Sequence, residues 1–273
     1  MNTSRRMVLG AALGGVASAA VGLPAAQPAR AASWQLKWSP SASDGLGAFE
    51  TIEDDRADSH PGGQPHIHTT GNNWRFNMHM ADRDTSTDRQ RHEVTGLRTS
   101  SSSYLKWTSG QTWRITYSMY IPSSLKATTS FTHIMQMKQP GTGSSPIVVQ
   151  SLRRVGGTSR ASEAERGGGK QTIELKLFDS DTLVGRTDLE PLHDKWTDVD
   201  FQIKVGNGSA GSVRWILKSG GTTVIDKSKT GVDTFLADRV RPKWGIYRSL
   251  GDTSGCLQDC HLLLTDLRGY QLV

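Results

Sequence analysis

WRITYSMYI, residues 113–121, alternates without a break. Trp113, Ile115, Tyr117, Met119 and Ile121 fall on one side of an extended chain, and Arg114, Thr116, Ser118 and Tyr120 on the other. Successive strand side chains point to opposite faces, so the stretch predicts a strand with one face in a core and one in water. The same period runs through TDVDFQIKV (197–205), with Val199, Phe201, Ile203 and Val205 inward, and through QTIELKLF (171–178), SVRWILK (212–218), TTVID (222–226) and HLLLTDLRGYQLV (261–273). Gly-rich turns such as VGNGSAGS (205–212) and KSGGTT (218–223) separate these runs. GGTSRASEAERGGG (156–169) has the composition of a flexible loop, and GVDTFLADR (231–239) alone suggests a short helix. Many short strands joined by such turns predict an all-β chain: a two-sheet antiparallel jelly-roll sandwich whose concave face forms a groove for an extended ligand.

The first 31 of the 273 residues stand apart. Ser4-Arg5-Arg6-Met7-Val8-Leu9 opens a mild apolar run, MVLGAALGGVASAAVGL (7–23), and Ala29-Arg30-Ala31 provides an A-x-A cleavage site. This is the pattern of a twin-arginine export signal, with an ordinary Sec signal as the alternative. The run is too short and too rich in Gly and Ala for a spanning helix. The expectation is a signal over residues 1–31, one domain over 32–273, and a secreted protein with no membrane contact after cleavage. Arg5, Arg6 and Arg30 supply three of the six net positive charges, so the remainder is only mildly basic. That excess is too weak to argue for nucleic acid but is compatible with an acidic polysaccharide partner. A monomer is expected. Cys256 and Cys260, in CLQDC, suggest a small disulfide loop in an exported protein.

No Walker loop, Rossmann fingerprint, G-x-S-x-G elbow or H-E-x-x-H occurs, so no organic cofactor is expected. The tight acidic strand motif E-x-D-x-E of sandwich glycosidases is also missing. What remains is a set of strand-like stretches with polar faces. In DRQRHEV, Arg89, Arg91 and Glu93 share a face; in HIMQMKQ, Gln136 and Lys138 do; in RPKWGIYRS, Lys243, Gly245 and Tyr247 do; in WRFNMH, Arg75, Asn77 and His79 do. Cations, amides, a His and a Tyr on one groove suit β-elimination on a uronic acid polymer. Donors that neutralise the carboxylate stabilise the enolate-like species formed when the C5 proton leaves. A base takes that proton and an acid protonates the departing O4. Tyr247 suits either task beside cations, with Gly245 leaving room for a sugar ring. Solvated strand faces with cross-strand ion pairs are the bland alternative for any one stretch, and a non-catalytic carbohydrate-binding sandwich is the alternative for the whole. His66 and His68, in HIH, lack a third metal ligand in view.

The order of these stretches resembles the jelly-roll polysaccharide lyases. In alginate lyases of that fold the cleft carries R-x-E-L-R, Q-I-H and Y-F-K-x-G-x-Y. Lys243-Trp244-Gly245-Ile246-Tyr247 matches the K-x-G-x-Y core, Gln136-Met137-Lys138 matches Q-I-H at its Gln only, and Arg89-Gln90-Arg91-His92-Glu93 resembles the Arg/Glu strand with its order permuted. The chain resembles most the glucuronan lyases and the fungal cellulose-induced Cip-type proteins, and more distantly heparin lyase I. The resemblance implies Tyr247, Gln136, Arg91 and His79 as catalytic candidates, with Tyr247 the acid and, with His79 in reserve for the His that Lys138 replaces, a candidate for the base. It implies substrate contacts from Arg89, Glu93, Lys138, Lys243, Gly245, Arg75 and Asn77, and a glucuronan-type substrate. It further implies a structural calcium held by Glu50 and Asp266.

Overall fold

The alternation at residues 113–121 becomes the middle of a sheet: in a computed structural model, Trp113, Ile115, Tyr117 and Met119 are all buried, and their neighbours stand half out of the core. The structure describes residues 32–60, 65–141, 145–156 and 169–273. The expected export signal and most of the 156–169 loop therefore lie outside the described residues. Residues Ser33–Val273 form one compact unit.

In chain order the strands are β1 (Trp34–Trp38), β2 (Thr51–Glu53), β3 (Ile67–Thr70), β4 (Asn73–Met78), β5 (Arg89–Thr95) and β6 (Arg98–Ser100). Then come β7 (Ser103–Tyr104), β8 (Thr112–Tyr120), β9 (Thr132–Lys138), β10 (Val148–Val155), β11 (Lys170–Leu177) and β12 (Thr182–Asp188). The last are β13 (Trp196–Lys204), β14 (Ser212–Ser219), β15 (Thr222–Thr230), β16 (Arg241–Ser249) and β17 (Cys260–Leu272). One sheet runs β15-β14-β13-β8-β17-β4-β3, with β1 also paired to β17. The other runs β12-β11-β10-β9-β16-β5-β2, and β6 and β7 pair by themselves. These pairings are antiparallel, as the sandwich reading requires.

The two inner faces meet over large side chains. Trp74, Trp215, Trp244, Phe76 and Phe201 are buried to 1% exposure or less. Trp244 stacks on Trp38 at 6.1 Å and receives Tyr117 edge-on at 6.1 Å. Burial of rings of this size supplies much of the sandwich's cohesion. Trp244 and Ile246 are thus core residues of β16, which fixes which way Tyr247 points.

Two expectations fail here. GVDTFLADR forms no helix: its polar side chains bind the neighbouring turn instead. The Thr234 hydroxyl accepts the Gly206 N–H at 3.0 Å and lies 2.6 Å from the Lys204 carbonyl, while Asp233 accepts the Gly208 N–H at 2.8 Å. Side-chain bonds of this kind compete with helical ones. Nor do Cys256 and Cys260 form a disulfide; both are free thiols. Cys260 begins β17 facing the core, where its sulfur accepts an N–H of Arg248 at 3.3 Å, and Cys256 sits in the preceding loop with its sulfur 2.9 Å from Arg154. Burial pushes the Cys260 thiol up to about 11, which leaves it protonated and inert.

Candidate active site

Strands β5, β16, β9, β10 and β11 lie side by side, and their outward side chains line a cleft of about 740 Å³. Tyr247 of β16 stands opposite Arg91 of β5 in the antiparallel register. The Arg91 guanidinium lies over the Tyr247 ring, 3.7 Å from its centre, and Arg89 donates an N–H to the phenolic oxygen at 2.8 Å. Both cations are anchored from behind. Arg89 reaches Asp88 at 2.7 Å; Arg91 reaches Asp84 at 3.0 Å and Glu53 and Glu93 at 3.6 Å. Burial opposes the charge on Asp84, but Arg56 and Arg91 outweigh it and hold its carboxyl below the usual range. Fixed in this way, two guanidiniums can offset negative charge that develops on the Tyr247 oxygen.

The third wall holds a residue that strand alternation hides. His133 of β9 lines the same cleft as Gln136 and Lys138, although it stands three positions before Gln136. The cause is a β-bulge. Pairing with β10 runs Val149 to Gln136 and Gln150 to Met135, then Ser151 to His133, so Ile134 is left over. His133 Nδ1 lies 2.6 Å from the Ser151 hydroxyl, and its ring stacks on Phe131 at 5.0 Å and lies 5.8 Å from that of Tyr247. Burial, with Arg153 and Arg91 nearby, pushes this imidazole down to about 3, so it is neutral near pH 7. The position three before Gln136 thus places a His in the cleft with Lys138. Two adjacent apolar residues between polar ones, His-Ile-Met-Gln, were the available signal of a slipped register.

Lys138 is half-buried and, among the described residues, makes no ion pair; burial, then Lys243 and Arg91, push its ammonium down. Arg153 and Lys176 add further positive charge to the cleft, and Phe131 and Phe178 add apolar walls. Expected residues Tyr247, Gln136, Arg91, Arg89 and Lys138 are therefore brought together.

Others lie beneath the cleft. Glu93 is completely buried: it accepts the Gln136 amide at 2.6 Å and pairs with Lys243 at 3.0 Å. Lys243 is 4% exposed and is also bound to Glu53. The substrate contacts expected of Glu93 and Lys243 are replaced by a support network, because β2 pairs outside β5 and brings Glu53 over them. Gly245 is corrected too. Its φ is +139°, and a Cβ there would lie 2.0 Å from the His92 carbonyl oxygen. The glycine admits the backbone of β5, not a sugar.

Arg75, Asn77 and His79 belong to the opposite sheet or its end and do not reach the cleft. Arg75 instead donates to Asn77 at 2.7 Å on the face away from Trp74 and Phe76, and His79 belongs to a separate group of histidines. His68 turns to the Pro65 carbonyl at 3.0 Å, away from His66.

Glu50 and Asp266 do not fit a calcium site. Both Glu50 oxygens are taken by guanidinium N–H groups, from Arg239 at 2.7 and 2.9 Å and Arg241 at 2.9 Å. Two cations at one carboxylate leave no place for a third. Asp266 lies on an exposed irregularity of β17, and neither acid joins a group of three or more ligating side chains among the described residues.

The family model described as polysaccharide lyase matches residues 48–258. The marine PL-14 alginate lyase from Aplysia kurodai superposes with a TM-score of 0.54 at 13% identity, over 86% of this chain and 98% of that one. The marine PL7 alginate lyase AlyA1 from Zobellia galactanivorans superposes with a TM-score of 0.51 at 12% identity, over 85% and 100%. Likeness at such identity is one of fold. A search of the curated proteins found no match.

Proposed function

We propose, from the premise that the chain belongs to the polysaccharide lyase family, that the cleft around Tyr247 cleaves a β-1,4-glucuronate polymer, glucuronan or a close relative, by β-elimination. The observation that carries this reading is the Tyr247 phenol, held by Arg89 and Arg91, sharing one cationic cleft with His133. The uronate carboxylate fits against Lys138 and Arg153, the cleft cations that among the described residues lack a carboxylate partner. Their charge stabilises the enolate-like species as the C5 proton leaves.

In a D-glucuronate unit the C5 proton and O4 lie on the same side of the ring. One phenol can therefore do both jobs: the deprotonated Tyr247 oxygen takes the C5 proton, the C4–O4 bond breaks, and the proton passes to O4. A neutral imidazole pushed as far down as His133 is a weak base, so His133 is assigned to holding the carboxylate through its ring N–H. A uronate with the C5 proton on the opposite side needs two groups, and Tyr247 with His133 would then divide the work.

The test is a panel of glucuronan, alginate, heparin-type chains and pectate, followed by ultraviolet absorbance of the unsaturated product. Product is expected from glucuronan, with kcat falling about 10²–10⁴-fold in Tyr247→Phe. Binding without turnover on every uronate would overturn the catalytic reading in favour of a carbohydrate-binding sandwich. Full activity of Tyr247→Phe would overturn the role of that residue.

A further inference from the structure

His92 faces away from the cleft, on the core side of β5, and beside it lies a cluster that the elimination does not use. It gathers where both sheets end: His60 follows β2, the edge of one sheet, and His66 precedes β3, the edge of the other. His79 and Asp82 come from the turn after β4. Asp82 Oδ1 lies 3.2 Å from His60 Nδ1 and 3.2 Å from His66 Nε2, and Asp82 Oδ2 lies 3.3 Å from His79 Nδ1. One ligand atom from each residue lies within 4.8 Å of all the others.

Hydrogen bonding alone accounts poorly for this packing. Asp82 is fully buried and His66 is 4% exposed. Yet His66 Nε2 and His79 Nδ1 are buried atoms without a hydrogen-bond partner among the described residues. If the rings are neutral, two buried nitrogens lack the partner that buried polar atoms nearly always have. If they are charged, three imidazoliums with ring centres 4.7–5.6 Å apart crowd around Asp82, with Asp54 beside His66 as a second carboxylate. A metal ion removes both difficulties. Four ligands about 2.0–2.1 Å from a tetrahedral centre stand about 3.3–3.4 Å apart. The two Asp82 Oδ1 distances are close to edges of that tetrahedron, and His79 Nδ1 lies 3.3 Å from the other oxygen of the same carboxylate.

We propose that His60 Nδ1, His66 Nε2, His79 Nδ1 and an Asp82 carboxylate oxygen hold a zinc ion. Three imidazoles and one carboxylate suit zinc rather than calcium, which takes six to eight oxygens. Four protein ligands close the tetrahedron, so the ion is structural. The surroundings are those of a built site. Asp54 Oδ1 lies 3.1 Å from the other nitrogen of His66, the usual place for a carboxylate that orients a metal-bound imidazole. Gln90 donates to the His79 and Asp82 carbonyls at 2.7 and 2.9 Å and is itself held by Arg248 at 2.7 Å. The ion would staple the free edges of the two sheets. It would also fix the turn leading to Asp84, which anchors Arg91 over Tyr247.

The site is tested without substrate, so its outcome is separate from that of the lyase reading. Full-length protein purified without a metal-affinity resin is analysed for metal by mass spectrometry, then stripped with a chelator and titrated with zinc and with cobalt(II). About one zinc per chain is expected, a melting temperature about 5–15 °C lower after stripping and restored by zinc, and the visible absorption of tetrahedral cobalt. Asp54→Asn should weaken zinc binding about 10–100-fold, and Asp82→Asn should abolish it, whereas His68→Gln should leave it unchanged. If Asp82→Asn fails to fold, the cobalt spectrum of the unmutated protein decides. Zinc below about a tenth of an equivalent with no thermal response to added zinc, or calcium in its place, would overturn the proposal.

Discussion

At Gly245 a single missing carbon decides whether β5 and β16 can lie together. A methyl group there would strike the His92 carbonyl at 2.0 Å, and the +139° φ disfavours any side chain. Gly245→Ala is expected to destabilise the protein by about 2–4 kcal/mol in chemical denaturation. A loss under about 0.5 kcal/mol would mean that the two strands separate easily at this point. Tyr247, Arg89, Arg91, Gln136 and Lys138 were legible as lining one cleft because alternation and residue type both pointed to an outward polar face. Glu93 and Lys243 share that face but are buried, because Glu53 arrives on β2, distant from both in sequence, and covers them. Nothing local to Glu93 or Lys243 announces that cover.

At the scale of the strand, β9 carries the largest difference between pattern and structure. Strict alternation from Gln136 puts His133 in the core; the extra Ile134 returns it to the cleft beside Tyr247. Deleting Ile134 should restore the regular ladder and leave His133 on the cleft face, so the part played by that imidazole is read from His133→Ala. His133→Ala is expected to keep the β-sheet circular dichroism while kcat falls at least about 10²-fold. Unchanged activity in a folded variant would show that His133 has no part in the reaction. Strands without such slips were readable almost to the residue, as at Trp113–Met119 and Val199–Ile203, where every expected inward residue is buried. Gly231–Arg239 was not, because Asp233 and Thr234 gain more from the adjoining turn than from a helix of their own.

Over the whole molecule, a small net charge conceals a strong local one. Arg89, Arg91, Lys138, Arg153 and Lys176 gather on a single concave face, where Asp84 and Asp181 cancel only part of their charge, while pairs such as Arg114–Asp200 and Arg214–Asp226 cancel on the other sheet. A polyanion should be attracted from a distance and held by contacts that salt screens. Raising sodium chloride from about 0.05 to 0.5 M is expected to raise KM about three- to tenfold while kcat stays within about twofold. A KM insensitive to salt would place recognition in hydrogen bonds and ring contacts instead. The position of β17 has a consequence for when this molecule can exist at all. That strand lies between β8 and β4 and also receives β1, so three earlier strands wait for the one that follows all the others described. During synthesis, β4 has only β3 to pair with in its sheet, and β1 has no sheet to join. The sandwich therefore assembles as a late, long-range event, slow by the measure of how far along the chain its contacts reach. Until the final strand arrives, the newly made chain carries open sheet edges that must be kept from other chains.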